Sequence, residues 1–287
     1  MGIKLLLIIL VAVLGLLSAM GVGTVLWHRA TEDLIDELNL APQQKPDAVV
    51  DFKELEKLPA PVKRYFRHVL KDGQPFIRSA RLVQEGGFRA GAADGRWSGM
   101  KATQYYATLN RGFVWDARIR MAPLVFVRVR DAYLGGRGRM QARLLSILPV
   151  MDEQARPELN AGALQRYLAE AAWFPTALFP GQGVRWSGID ANRAVAELTD
   201  SGITVSLEFR FNDRGEITRV FTTGRYREAD GKYVPTPWAG YFRDYQEHGG
   251  MLVPAVGTVE WHLPGGKFPY WKARIVEFTY SFYEGPD

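Results

Sequence analysis

The sequence predicts an α+β domain built on one large, curved, mainly antiparallel sheet, an incomplete barrel with two or three helices, preceded by one N-terminal transmembrane helix. Three observations lead there. From about Ile77 onward, apolar residues recur at every second position, the period of strands with one solvated face. Turn residues at Gly135-Gly136, Asn212-Asp213-Arg214-Gly215, Gly249-Gly250 and Pro264-Gly265-Gly266 cut that pattern into hairpins. The stretch Leu5 to Trp27 contains no charged residue. A twisted sheet of about eight to eleven strands curls on itself and takes helices into its concave side.

The apolar run LLLIILVAVLGLLSAMGVGTVLW is longer than the ~20 helical residues that cross a hydrocarbon core. It also exceeds the ~7–15 residues of a signal-peptide core. Trp27 stands where an interfacial aromatic belongs, with His28 and Arg29 behind it. A weak cleavage candidate, Ala19-x-Gly21, is set against a retained anchor, and the anchor is the reading adopted. Lys4 before the run and Arg29 after it nearly balance, so orientation rests on the signal-anchor pattern: single-pass, short tail inside, main domain outside the cytoplasm. The expected domains are an anchor at 1–29, a stalk or linker at 30–57 and a single antiparallel domain at 58–287. In the stalk, Leu34, Ile35 and Leu38 have helical spacing, and Pro42 and Pro46 break the helix.

Val49–Leu70 reads as a second helical region interrupted at Pro59 and Pro61. Pro61 suits a first helical turn, and Val62, Tyr65, Phe66, Val69 and Leu70 form one stripe. Phe113–Met121 and Leu124–Arg130 alternate as strands, joined at Met121-Ala122-Pro123. Met140–Leu148 fits a helix or a strand and ends at Pro149. Asn160 is the expected N-cap of a helix whose stripe is Leu164, Tyr167, Leu168, Ala171 and Ala172, with Pro175 as its stop. The stretch Leu164–Trp186 thus joins a strand-rich first half to a strand-rich second half. There, Ile203–Phe211, Ile217–Arg227, Lys232–Tyr245, Leu252–His262 and Tyr270–Tyr283 read as strands.

The chain has no cysteine, which excludes disulfides, thiolate nucleophiles and Cys-ligated metals. Its four histidines fall in no His-x-x-x-His pattern, so no metal site is assigned, and no cofactor motif is found. Neither a Gly-x-Ser-x-Gly elbow nor a P-loop is present. Net charge is +5, and +3 without Lys4 and Arg29, with no basic module, so no nucleic-acid partner is expected.

The chemistry-bearing residues that remain have two readings each. Arg166 and Glu170, at i and i+4, form a helix ion pair or part of a site. Trp173, Phe174, Phe179 and Trp186 fill a core or line the mouth of an apolar ligand cavity. Arg118, Arg120, Arg128 and Arg130 form a ladder on one sheet face. The ladder is either solvated and paired with Asp116 and Asp131, or placed against anionic headgroups.

At WFPTALFPGQGVRW, with Arg166-Tyr167-Leu168-Ala169-Glu170 before it, the sequence resembles a bacterial family of uncharacterised membrane-tethered proteins. Leu58–Val62 with Arg64-Tyr65, Gly112–Ala117 and Pro237-Trp238 carry the same resemblance, which spans about residues 55–280. It brings no activity and no catalytic residues. More loosely, the plan is similar to the lipoprotein-carrier fold, an incomplete barrel closed over helices that shelters acyl chains; this resemblance implies fold, not function. The expected function is a membrane-anchored extracytoplasmic protein that binds membrane lipid or another apolar small molecule. The alternatives are an enzyme of unassigned reaction using Arg166 and Glu170, or a structural component of an envelope complex. No protein partner is assigned.

Overall fold

The N-terminal helix does not stop where its apolar run stops. In a computed structural model, which describes residues 2–40, 49–91 and 95–283, α1 runs unbroken from Gly2 to Asn39. Side chains 2–19 are exposed, and from Gly23 onward one face is covered, with Gly23, Trp27, Thr31 and Leu38 buried. Steps of four, four and seven residues trace one stripe of a helix. Thr31–Asn39, read as stalk, is therefore the last part of α1, docked on the domain. The expected breaks at Pro42 and Pro46 lie outside the described residues.

Two further helices follow: α2 at Ala60–Val69 and α3 at Pro157–Glu170. Pro61 occupies the first turn of α2, and Val62, Tyr65, Phe66 and Val69 are buried as their spacing requires. The sheet comprises β1 (Ile77–Phe88), β2 (Ser98–Ala107), β3 (Gly112–Ala122), β4 (Val125–Leu134), β5 (Arg137–Leu144), β6 (Leu148–Glu153), β7 (Val184–Asp190), β8 (Arg193–Asp200), β9 (Ile203–Phe211), β10 (Ile217–Ala229), β11 (Lys232–His248), β12 (Met251–Leu263) and β13 (Gly266–Phe282). The order is β6-β5-β4-β3-β2-β1-β13-β12-β11-β10-β9-β8-β7, with antiparallel neighbours throughout. Two meanders, β1–β6 and β7–β13, are joined where β1 pairs with β13. β6 and β7 remain edges, so the sheet is not a closed barrel.

The sheet wraps far enough for its limbs to meet. Gly136, in the β4–β5 turn, would place a Cβ 2.4 Å from that of Ser201 in the β8–β9 turn. A side chain there would collide, and Gly136 also has φ +79°. Tyr133 on β4 donates to Asp200 Oδ2 on β8 at 2.7 Å. To travel from edge β6 to edge β7 the chain crosses the concave side. α3 does so, touching β4 and β5 on one limb and β9 and β10 on the other. Three 3₁₀ turns, Ala171–Trp173, Pro175–Leu178 and Pro180–Gln182, complete the crossing.

The structure corrects several expectations. Among the described residues there are thirteen strands, more than the eight to eleven expected. Met140–Leu148 is neither one helix nor one strand: β5 ends in it, Leu145 and Ser146 turn with positive φ, and β6 begins. Pro149 does not end the element but lies within β6, an edge strand, where a missing N–H is tolerated. Asn160 is not the N-cap of α3, which begins at Pro157 after Arg156. Its Oδ1 instead accepts the Gly138 N–H of β5 at 2.8 Å, holding helix to sheet. α3 ends at Glu170, before Ala171–Trp173 tightens into a 3₁₀ turn.

Candidate functional site

The inward positions of the strands are apolar almost throughout. Gln84 on β1 and Gln104 on β2 break the pattern, both fully buried at inward positions. They begin a chain of hydrogen bonds. Trp115 Nε1 donates to Gln84 Oε1 at 2.9 Å, and Gln84 Nε2 donates to Gln104 Oε1 at 2.9 Å. Gln104 Nε2 then donates to Glu170 Oε2 at 2.8 Å, and Tyr106 OH donates to the same oxygen at 3.0 Å. Glu170 Oε1 accepts from Arg166 Nε at 2.8 Å, and Arg166 Nη1 donates to Asp131 Oδ2 at 2.5 Å. The guanidinium also lies 4.8 Å from the Phe113 ring and 5.1 Å from the Trp115 ring. One helical turn separates Arg166 from Glu170, so both reach the same spot between α3 and strands β2–β4.

The electrostatics keep the two donors Arg166 and Tyr106 protonated. Burial alone would lower the Arg166 pKa, but Glu170 and Asp131 outweigh it and raise it above the ordinary guanidinium value. Burial, reinforced by Glu170, raises Tyr106 well above the usual phenol, so it remains a donor. Both Glu170 oxygens are occupied by protein donors, an arrangement that fixes geometry.

Beside the network lies an aromatic cluster. Arg225 on β10 donates from Nη1 to the Gly162 carbonyl of α3 at 2.7 Å and sits 5.0 Å from the Trp238 ring. Burial lowers its pKa, and Tyr270 and Arg166 then act in opposite directions. Trp238 Nε1 donates to Tyr270 OH at 2.9 Å, and Trp261 stacks on Tyr270 at 5.8 Å. A bulge where β12 meets β13 brings Tyr270 and Trp271 to the same side. Trp271 is 7% exposed, and its indole N–H has no acceptor among the described residues.

The remaining sequence candidates are dispersed. Trp173 is buried against Phe242 and Trp271, lies close over Gly257, and donates to the Pro254 carbonyl at 3.0 Å. Phe174 packs on Tyr106 at 4.3 Å, and Phe179 packs on Phe66 and Phe76. Trp186 lies apart, half-buried on edge strand β7, donating to the Leu178 carbonyl at 3.0 Å. The arginine ladder is split. Arg128 and Arg130 lie under α1, while Arg118 and Arg120 are exposed beyond it. Arg130 Nη1 donates to Thr31 Oγ1 at 2.8 Å and lies 4.5 Å from the Trp27 ring; Trp27 Nε1 donates to Asp116 Oδ1 at 2.8 Å. Gln84, Gln104, Tyr106 and Arg225 were not singled out in the sequence. The first two carry no signal in the sequence, because only the register shows that their side chains point inward. Among the described residues, no three His, Asp or Glu side chains converge as a metal site would require. Two surface grooves, of about 430 Å³ beside Arg137 and Asn160 and about 560 Å³ beside Arg64 and Arg67, do not touch Trp173.

A family model described as "Family of unknown function (DUF6920)" matches residues 56–280, most of the chain. The chain belongs to this family. The matched DUF6920 region holds the whole sheet up to Tyr280, α3 and every residue of the buried network. No curated protein matches. Among solved structures, the chain is similar to a LolA superfamily protein from Nitrosomonas europaea, with 10% identity and a TM-score of 0.37 over 83% of this chain and 96% of that one. It is also similar to a beta-barrel-like protein of domain of unknown function DUF1849 from Brucella abortus, with 10% identity and a TM-score of 0.23 over 72% and 99%.

Proposed function

We propose that the protein is a single-pass, membrane-anchored, extracytoplasmic binding domain that takes the apolar chain of a membrane lipid, or another apolar molecule, at the mouth of its concave face. The observation that carries the reading is the aromatic cluster itself. Trp238, Trp261, Tyr270 and Trp271 come together from three adjacent strands, and Trp261 and Tyr270 are only partly buried. The Trp271 N–H, sealed beneath these rings without an acceptor among the described residues, is a donor that a ligand ester or amide carbonyl would satisfy only by entering between them. Arg225, held by a backbone carbonyl and an aromatic face, supplies a cation at the same place. Deeper in, α3 and the 3₁₀ turns occupy the concave space, with Trp173, Phe174 and Phe179 as their inner rings. Those three would meet a ligand only where it penetrates past the mouth.

The anchor reading rests on α1, which is long and apolar enough to cross a membrane. The enzyme reading of Arg166 and Glu170 is weaker, because every polar atom the pair offers is already engaged. Trp fluorescence of the full-length protein, titrated with phospholipid brominated on the acyl chain, tests the proposal. Saturable quenching that weakens in Trp238→Phe is expected, and quenching no greater than that of free tryptophan would refute it.

A further inference from the structure

We infer that the β3–β4 and β5–β6 turns are a membrane-inserting edge, seated in the headgroup and upper acyl region of the bilayer that α1 spans. The inference rests on the anchor reading and does not need the ligand.

The geometry starts from α1. Its docked half runs alongside β4, with His28 beside Arg128, Thr31 beside Arg130, and Leu38 against a cluster containing Ala132 and Leu134. Followed back toward its N-terminus, α1 leaves the domain at Gly23 and Thr24. Thr24 Oγ1 donates to Ser146 Oγ at 3.1 Å, and a Cβ on Gly23 would lie 2.5 Å from the Ser146 carbonyl oxygen. The exit is therefore at the β5–β6 turn. The stretch Gly2–Val22 before it, at ~1.5 Å per residue, is about 31 Å long, the thickness of a hydrocarbon core. The turn at Leu145–Ile147 thus lies where the helix emerges from the membrane.

The β3–β4 turn reaches further. Leu145 N–H bonds to the Phe126 carbonyl at 2.9 Å, which sets Phe126 level with the exit. Leu124 lies two residues beyond, about 7 Å at ~3.3 Å per residue. That is the height of about Ala19 on α1, inside the apolar run.

The side chains at this edge suit that depth. Outside α1, ten large hydrophobic residues are exposed among the described residues, and five of them are on this edge: Met121 and Leu124 beyond Phe126, Leu148 one residue behind it, and Val150 and Met151 level with Arg128 and Val129, in the headgroup region. Leu124, at the tip of the turn with φ +61°, is 92% exposed, and such a patch of exposed apolar side chains marks an interaction surface. Neither Met121–Val125 nor Leu144–Met151 contains an acidic residue. Arg118 and Arg120, the exposed part of the ladder, lie just behind the turn, at the level of phosphate groups.

The absence of native cysteine allows a clean test. Full-length Leu124→Cys, Val150→Cys, Val13→Cys and Ile189→Cys variants are labelled with a nitroxide in vesicles of 3:1 phosphatidylcholine and phosphatidylglycerol. The ratio of oxygen to nickel-chelate accessibility is then read. The expected ratio at Leu124 is at least threefold that at Ile189, with Val150, level with Arg128 in the headgroup region, between the two. A membrane-like ratio at Val13 with Leu124 equal to Ile189 would overturn the inserting edge while leaving the anchor intact. An aqueous ratio at Val13 would overturn the anchor and the inserting edge together. Spin–spin broadening at Leu124 without a raised ratio would also overturn it, since a second copy would then cover the edge.

Discussion

Replacing Arg166 with methionine leaves two buried carboxylates without their shared cation. The side chains of Asp131 and Glu170 are 9% and 13% exposed, too little for water to solvate both charges. Removing one partner of a buried pair costs about 3–5 kcal/mol, because the remaining charge stays buried. For a domain of this size each kcal/mol moves the midpoint by about 2–4 °C, so Arg166→Met should lower Tm by about 6–20 °C. The assay is thermal unfolding of the full-length protein in detergent, followed by near-UV circular dichroism. Arg166→Lys keeps the charge but loses the planar fork that reaches Glu170 through Nε and Asp131 through Nη1, and should fall between the two. A double-mutant cycle with Glu170→Gln should return a coupling above about 1 kcal/mol. A loss below about 1 kcal/mol for Arg166→Met, or no coupling, would refute the assignment of the triad as the lock between α3 and β2–β4.

Other perturbations test neighbouring parts of the account. Gln104→Leu removes a donor from Glu170 and an acceptor from Gln84, and should destabilise by about 1–3 kcal/mol for each buried group left unpaired; an unchanged denaturant midpoint would contradict the hydrogen-bond chain. Trp27→Ala deletes the ring that packs on Arg130 and bonds Asp116. Hydrogen exchange in Gly23–Leu38 should accelerate about a hundredfold, the equivalent of about 3 kcal/mol, while β11 and β12 stay protected. His248, stacked on Phe278 at 4.1 Å, has its pKa lowered by burial from 6.5. Below that value the unfolded chain binds a proton that the folded chain resists, so stability falls with pH there, and His248→Gln should flatten that part of the profile.

Much of the fold was legible because an antiparallel sheet with one solvated face writes its period into the sequence. Phe113–Met121 and Ile203–Phe211 alternate cleanly, and both are strands. The α2 stripe was equally readable, since Pro61 and four buried residues share one helical phase. What sequence could not give was polar matching across distance. Trp27-His28-Arg29 looks like the end of an anchor, yet α1 continues because Asp116, Arg128 and Arg130 from two distant strands receive it. The same contacts take half of the arginine ladder out of solvent. Asn160 has every property of an N-cap, but a β5 backbone N–H competes for its side chain. In the site, Arg166 and Glu170 were visible from their spacing. Gln84 and Gln104 were hidden, because an inward glutamine on a strand looks like an outward one until the register is known.

An apolar chain held at the aromatic cluster would travel with the protein out of the membrane. Native mass spectrometry of the full-length protein, extracted from membranes in mild detergent and released from the micelle, measures it most directly. A stoichiometric lipid or apolar adduct is expected, lost in Trp238→Ala combined with Trp261→Ala while the fold and the anchor persist. A bare protein mass with no extractable lipid, or an adduct indifferent to both substitutions, would contradict binding at this cluster.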